Sequence, residues 1–163
     1  MQIVVADTTP IPYLAEIDLL HILPQLFEVI YIPDVVYGEL QRSATPPKVR
    51  IQIDSPLEWL KIVTPQAFED DIALLTLDEG ERAALALGLQ LKADLILIDE
   101  RRGAAIARQK KLEITGTLGI LVRAARRHMI TLDDAFARLR NTTFHCSENL
   151  MNSLLSEHNK RNS

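Results

Sequence analysis

Short apolar runs alternate with longer, helix-like segments along the chain. Runs rich in β-branched residues predict five buried strands. They lie at residues 3–6, 29–32, 59–63, 95–98 and 113–115. Apolar residues at helical spacing predict helices between and after the strands. These lie at residues 10–20, 33–40, 77–91, 117–128, 131–140 and 147–158, and one more helix follows the fourth strand and ends at about residue 111. Residues 43–58 are rich in Pro, Ser and Thr and predict a loop with room for one short helix.

This alternation is typical of an α/β fold. Strands that are apolar throughout are buried on both faces, which predicts a parallel sheet between two layers of helices. No internal repeat or long linker divides the chain. We therefore expect a three-layer α/β/α fold in one domain over residues 1–158, followed by a frayed tail at 159–163.

Composition narrows the class of protein. With 47% hydrophobic and 25% charged residues in 163, the chain has the make-up of a folded globular domain. Its single cysteine, Cys146, excludes an internal disulfide. No apolar run reaches the roughly 18–20 residues that span a bilayer, and the first residues lack the basic start of a secretory signal. We expect a cytoplasmic protein that is not inserted in a membrane.

Charge is divided unevenly along the chain. Residues 1–100 carry a net charge of −11 and residues 101–163 a net charge of +7. A metal-using enzyme that acts on a polyanion needs both an acidic and a basic surface. Surface helices that differ in charge for no functional reason give the same pattern, so this observation leaves both interpretations open.

Four acids are candidates for one site. Asp7 and Asp99 each follow an apolar strand directly, and the carboxyl ends of parallel strands share one edge of the sheet. Glu39 lies on the helix after the second strand. Glu81 shares a helix face with small and apolar residues, which predicts an inward side chain, although acids at a helix start also simply favour the helix dipole.

Several carboxylates without an obligatory His or Cys indicate a hard divalent cation. Mg²⁺ and Mn²⁺ prefer oxygen ligands, and Mg²⁺ keeps several waters beside one or two carboxylates. Such an ion lowers the pKa of a bound water and offsets the charge of a phosphodiester transition state. Spacing in the sequence does not establish that the four acids meet.

Five segments in this order resemble PIN domains, and most closely VapC-like prokaryotic members. They are VVADTTP at 4–10, IPDVVYGEL at 32–40, LDEGERAALAL at 77–87, LIDERRG at 97–103 and ITGTLGIL at 114–121. The resemblance implies a five-stranded parallel sheet of order 3-2-1-4-5. It also implies Mg²⁺- or Mn²⁺-dependent ribonuclease activity, a homodimer, and an antitoxin protein that occupies the acidic crevice.

The resemblance also assigns roles to residues. It makes Asp7, Glu39, Glu81 and Asp99 catalytic, metal-ligating acids, with Thr8 as a polar support. Members of the family often have an acid shortly after the fourth one. Here arginines stand there, and only Glu100 could substitute, so one or two metals are possible.

Basic residues follow the fourth acid. We expect Arg101, Arg102 and Arg108 to hold the RNA backbone, against the alternative of a solvated helix face. Thr117 is expected to cap the helix that follows the last strand.

The main alternative function is a non-catalytic PIN-like module that binds RNA or a protein. Receiver and haloacid-dehalogenase folds are disfavoured, because Asp7 has no acidic neighbour and Thr9 stands where a dehalogenase needs a second Asp.

Overall fold

The computed structural model describes residues 2–42, 45–54, 57–66, 74–99 and 101–162, with Arg102 described by its backbone alone. Five strands are present in these ranges: β1 (Val4–Ala6), β2 (Ile30–Pro33), β3 (Leu60–Val63), β4 (Leu95–Leu97) and β5 (Ile114–Thr115). The described residues also form nine α-helices: α1 (Pro10–Glu16), α2 (Ile22–Phe27), α3 (Asp34–Leu40), α4 (Pro47–Asp54), α5 (Glu79–Leu91), α6 (Arg101–Gln109), α7 (Thr117–Arg126), α8 (Leu132–Arg140) and α9 (Glu148–Arg161).

The strands form one parallel sheet of order β3-β2-β1-β4-β5, as predicted. The central strand β1 pairs with β2 on one side, Val4 opposite Ile30, and with β4 on the other, Ala6 opposite Leu97. This register brings the carboxyl ends of β1 and β4 side by side. The sheet order and its flanking helices confirm the three-layer α/β/α fold.

Each face of the sheet has its own core. Val4, Ala6 and Leu97 belong to a cluster completed by side chains of α1, α2, α7 and α8. Val5 and Ile96 point the other way, where α5 and α6 cover them. Because side chains alternate along a strand, consecutive residues after a strand also tend to approach opposite layers. This alternation matters for the acids that follow β1 and β4.

Several element boundaries differ from the predictions. The helix expected over residues 10–20 ends at Glu16, and α2, which was not predicted, follows it. The short helix for which residues 43–58 left room is present as α4, whose exposed Ile51 weakens its amphipathic pattern. Helix α9 continues to Arg161, into the predicted tail, and its basic last turn suits the negative end of the helix dipole. No helix in the described ranges combines the length and the apolar character needed to cross a bilayer.

Close contact between α5 and β4 predicts an unusual effect of a small substitution. In Gly88→Ala the new methyl group would overlap Cδ1 of the buried Ile96. We expect a loss of about 1–2 kcal/mol in the free energy of unfolding, although alanine is the better helix former. Adding Ile96→Val removes Cδ1 and should recover part of that loss, as measured by urea unfolding of the double-mutant cycle.

Gly38→Ala provides the control, because no atom of the described residues outside the local backbone of α3 lies within 4 Å of the added carbon. We expect this variant to gain about 0.5–1 kcal/mol. Equal stabilisation by Gly38→Ala and Gly88→Ala would show that α5 does not approach β4 as described.

Candidate active site

Asp7 lies at the carboxyl end of the central strand and is almost fully buried. Asp7 is only 2% exposed, and its backbone amide donates a hydrogen bond of 2.9 Å to the carbonyl of Leu97. Among the described residues, none gives a hydrogen bond to its Oδ1 atom. A buried carboxylate oxygen without a partner is costly unless a proton or a cation compensates it.

Glu39 reaches the same place from the last turn of α3. Thr8 Oγ1 donates a hydrogen bond of 2.8 Å to Glu39 Oε2, so Thr8 contacts this acid directly. A Cβ atom added at Gly80 would lie 2.9 Å from that oxygen, so the backbone at the start of α5 packs directly against the Glu39 carboxylate. Glu39 is therefore held between a hydroxyl donor and a bare helix backbone.

The first turn of α5 contributes two further acids. Asp78 caps the helix by accepting from the amide of Glu81 at 2.8 Å, and Glu81 accepts in return from the amide of Asp78 at 3.3 Å. Glu81 is 8% exposed, as expected for an inward side chain. From its position alone, Asp78 is expected only to favour the helix dipole, as acids at a helix start do. The capping-box spacing of Asp78 and Glu81 is the signal that would have brought Asp78 to attention.

These acids surround one small cavity, which we call the acid cavity. It has a volume of about 230 Å³. Its lining residues are Asp7, Thr8, Thr9, Glu39, Asp78 and Glu81. The structure thus brings together three of the four predicted acids.

The fourth acid, Asp99, is not among the residues that line the acid cavity. Its Oδ1 accepts a hydrogen bond of 2.7 Å from the amide of Thr117, and its Oδ2 accepts from the Thr117 hydroxyl. Asp99 continues the alternation of Leu95 and Leu97, whose side chains face the α7 layer, whereas Asp7 continues that of Val5, which faces α5. That Asp7 and Asp99 face each other across one crevice therefore stays a prediction.

The turn before α7 also differs from its prediction. Gly116 occupies the N-cap position and Thr117 is the first helical residue. Asp99 takes over part of the capping function, because it satisfies the amide at the helix start through a contact 18 residues away.

Three of the acids pack against glycines of other helices or turns. Glu39 abuts Gly80, and Asp99 abuts Gly116. A carbon added at Gly103 in α6 would lie 3.1 Å from Glu81 Oε2. The carboxylates therefore fill space that any larger residue would occupy.

The acids also perturb one another electrostatically. Burial raises the pKa of Asp7 to about 7, with smaller contributions from the charges of Asp78 and Glu39, while hydrogen bonds from Thr8 oppose the rise. Burial also raises the pKa of Asp99, and its bonds to Thr117 counteract this. A negative cavity of this kind favours protons or cations.

The donor chemistry suits a hard divalent cation. Carboxylate and hydroxyl oxygens line the acid cavity, and the orphaned Asp7 Oδ1 is available as a ligand. In the part of the chain that the structure describes, no three His, Cys, Asp or Glu side chains form a group that could hold a metal ion as they stand. Mg²⁺ does not require such a group, since it retains waters beside one or two carboxylates.

The predicted basic residues lie on α6, which begins beside Asp99. Arg101 and Arg108 are exposed and seven residues apart, so they share one helix face about 10 Å apart along the axis. Glu100 and the side chain of Arg102 lie outside the described residues. The structure therefore gives no position for either of these two predicted groups.

Comparison with protein-family models gives one match, over residues 3–160, to the family described as PIN domain. The chain belongs to the PIN domain family. PIN domains are generally nucleases, typically use divalent metal ions and bind nucleic acid, so the acid cavity lies in a fold of nuclease type. The search of curated proteins found no match.

The pKa of Asp7 predicts a pH-dependent stability of this PIN domain. Between about pH 4 and 7 the folded chain holds a proton on Asp7 that the unfolded chain has lost, so the free energy of unfolding falls as the pH rises. In EDTA we expect Asp7→Asn to exceed wild type by at most about 4 kcal/mol at pH 8, and to match it near pH 4. Urea unfolding at both pH values measures the difference. Asp134→Asn, at an exposed site, should show no such divergence.

The bond between Asp99 and α7 predicts a second stability effect. Thr117→Val keeps the shape of the fully buried side chain but leaves Asp99 Oδ2 without its hydroxyl donor. We expect a loss of about 1–3 kcal/mol at neutral pH, measured by thermal or urea unfolding. Thr117→Ser retains the hydroxyl and should lose less than Thr117→Val. The reverse order of the two variants would contradict the assigned contact.

Proposed function

We propose that this PIN domain is a metal-dependent endoribonuclease that hydrolyses RNA phosphodiester bonds with Mg²⁺ or Mn²⁺. The observation that carries the proposal is the almost fully buried Asp7 carboxylate, with Oδ1 unpartnered among the described residues, in a cavity shared with Glu39 and Glu81. Concentrated carboxylates are unfavourable in the absence of a compensating cation. Such a cation assists phosphodiester hydrolysis, and the resemblance to VapC-like members is what points to RNA as the polyanion.

Asp7, Glu39 and Glu81 are assigned as the acids that hold the ion. When bound, the metal supplies a water of lowered pKa and positive charge opposite the scissile phosphate. Thr8 fixes the rotamer of Glu39 through its hydroxyl, and Asp78 holds the Glu81 backbone at the start of α5. The expected products carry a 5′-phosphate and a 3′-hydroxyl.

Asp99 completes the proposed set of four acids. Each oxygen of its carboxylate has a second lone pair, so the group can keep its bonds to Thr117 and still accept from a metal-bound water. Its place beside β1 supports this role. Glu100 is kept as a supporting acid on the basis of the sequence resemblance alone.

Substrate RNA is expected to cross the start of α6. Arg101 and Arg108 present guanidinium groups on one exposed face, and such groups bind phosphates without reading sequence. Arg102 is proposed to join them from its position in the sequence. These contacts would orient the backbone relative to the acid cavity.

The biological setting is proposed from the resemblance to VapC-like members. On that basis the protein is the toxin of a toxin–antitoxin pair, acts in the cytoplasm as a homodimer, and is inhibited by an antitoxin segment in the acid cavity. The negative lining of that cavity favours a segment with a basic side chain.

The proposal predicts metal-dependent cleavage that requires the buried acid. Wild-type protein with Mg²⁺ or Mn²⁺ should cut single-stranded RNA, and EDTA should abolish the cut. Asp7→Asn and Glu39→Gln should each lower the rate at least about 100-fold, because each removes an oxygen that holds the ion. The measurement is the rate of product formation on labelled RNA, with end groups identified chemically.

Asp134→Asn serves as the matched control, because it makes the same chemical change at an exposed site. Equal cleavage by wild type, Asp7→Asn and Asp134→Asn would attribute the activity to a contaminant and end the proposal. Binding of RNA without any turnover would instead support the non-catalytic module. The observation that favours this alternative is that both carboxylate oxygens of Asp99 already accept hydrogen bonds from Thr117.

A further inference from the structure

A second concave surface lies far from the acid cavity and carries the opposite charge. This depression, the arginine pocket, has a volume of about 420 Å³. Its lining residues are Gln2, Leu26, Phe27, Arg123, Arg126 and Arg127. No acid of the described ranges lines it, whereas the net charge of the whole chain is −4. The pocket is therefore a concentrated positive site on an acidic protein.

The three arginines have no carboxylate partners among the described residues. The ion pairs among the described residues are formed by other basic side chains. Glu28, the neighbour of Phe27 in the chain, forms no ion pair with the three arginines. Two of the three are nevertheless held in place. The Arg123 guanidinium lies 5.9 Å from the centroid of the Phe27 ring, and Arg127 donates a hydrogen bond of 3.3 Å to the carbonyl of Gln25.

Fixed, unpaired guanidinium groups in a hollow are suited to phosphate. The planar guanidinium matches a phosphate with two parallel hydrogen bonds, and groups held before binding lose less entropy. Arginines near the end of a helix also favour its dipole, which accounts for the residue type in the last turn of α7. The dipole does not require a hollow shared with α2 or the placement of Arg123 over Phe27.

The pocket lies at the amino edge of the sheet, opposite the acid cavity. Gln2 precedes β1, and α7 runs about 15 Å from the carboxyl edge to this one. Helix α6 makes the same traverse on the other face, with Arg101 at its start and Arg108 in its last turn. Basic groups thus extend from the acid cavity to the edge where the pocket lies.

We infer that the arginine pocket is a second RNA-binding site, which takes backbone phosphates several nucleotides away from the cleaved bond. This inference rests on the proposed function, since it assigns the pocket to the same substrate. The pocket would favour long RNA over short fragments without reading sequence. It would give the enzyme a preference for substrate length that the acid cavity alone does not provide.

The test is RNA binding in EDTA, where cleavage does not occur. Arg126→Gln combined with Arg127→Gln removes two exposed charges and retains Arg123 on Phe27. For an RNA of about 25 nucleotides we expect about tenfold weaker binding, and a salt dependence reduced by roughly 1.4, or 0.7 per lost phosphate contact. An RNA of about 5 nucleotides reaches only one site, so wild type should bind the long RNA more tightly than the short one, and the variant should lose most of that difference.

The control is Arg140→Gln combined with Arg161→Gln, which changes the net charge equally. Both residues are exposed or partly exposed and pair with glutamates, Glu148 and Glu157. Equal weakening by the two double variants, or an unchanged salt slope in the pocket variant, would overturn the inference. So would pocket-dependent binding to anionic lipid vesicles with unchanged affinity for RNA.

The two proposals fail in different ways. Cleavage of RNA with no effect of the pocket variant on binding would end only the inference about the pocket. Length-dependent binding that requires the arginines, in a protein that never cleaves with Mg²⁺ or Mn²⁺, would end only the nuclease. A thermal unfolding midpoint of the pocket variant close to that of wild type would exclude a folding defect.

Discussion

The burial of a carboxylate at the end of the central strand constrains the rest of the molecule. Asp7 occupies the one place where β1, the start of α5 and the end of α3 converge, and it is only 2% exposed. An ionised group there cannot be solvated fully by water, so its surroundings must supply a proton or a cation. The neighbouring acids make this requirement stronger, since they add negative charge and provide further oxygen ligands.

The overall fold was accessible from sequence because its signals are local. The β-branched runs and the helical spacing on either side identify all five strands, and the family resemblance gives their order. Helix α2 could not be predicted as a separate helix, because it has only six residues, no capping side chain and no charged ends. No local feature of the sequence separates it from α1. The exact ends of α1 and α9 could not be predicted from sequence either, because helix ends depend on packing partners.

The site was only partly accessible, for a physical reason. Burial of Glu81 could be inferred from the small residues on its helix face, and Asp78 could have been found from the capping box. The orientation of Asp99 could not be inferred, because it depends on a hydrogen bond to a helix 18 residues later and on which face of the sheet its strand turns toward. Adjacent strand ends fix proximity of backbones, but side-chain direction is set by long-range partners.

The packing of acids against glycines has a consequence for how such a protein can be silenced. Because Gly80 and Gly116 each border a carboxylate of a different segment, one methyl group at either would force that acid to shift while leaving every charge of the chain intact, whereas at Gly103 it would meet Ile98 Cδ1 before Glu81. A loss of the proposed activity would then leave the acidic residues themselves unchanged. A comparison of related chains therefore has to include these bordering positions as well as the four acids.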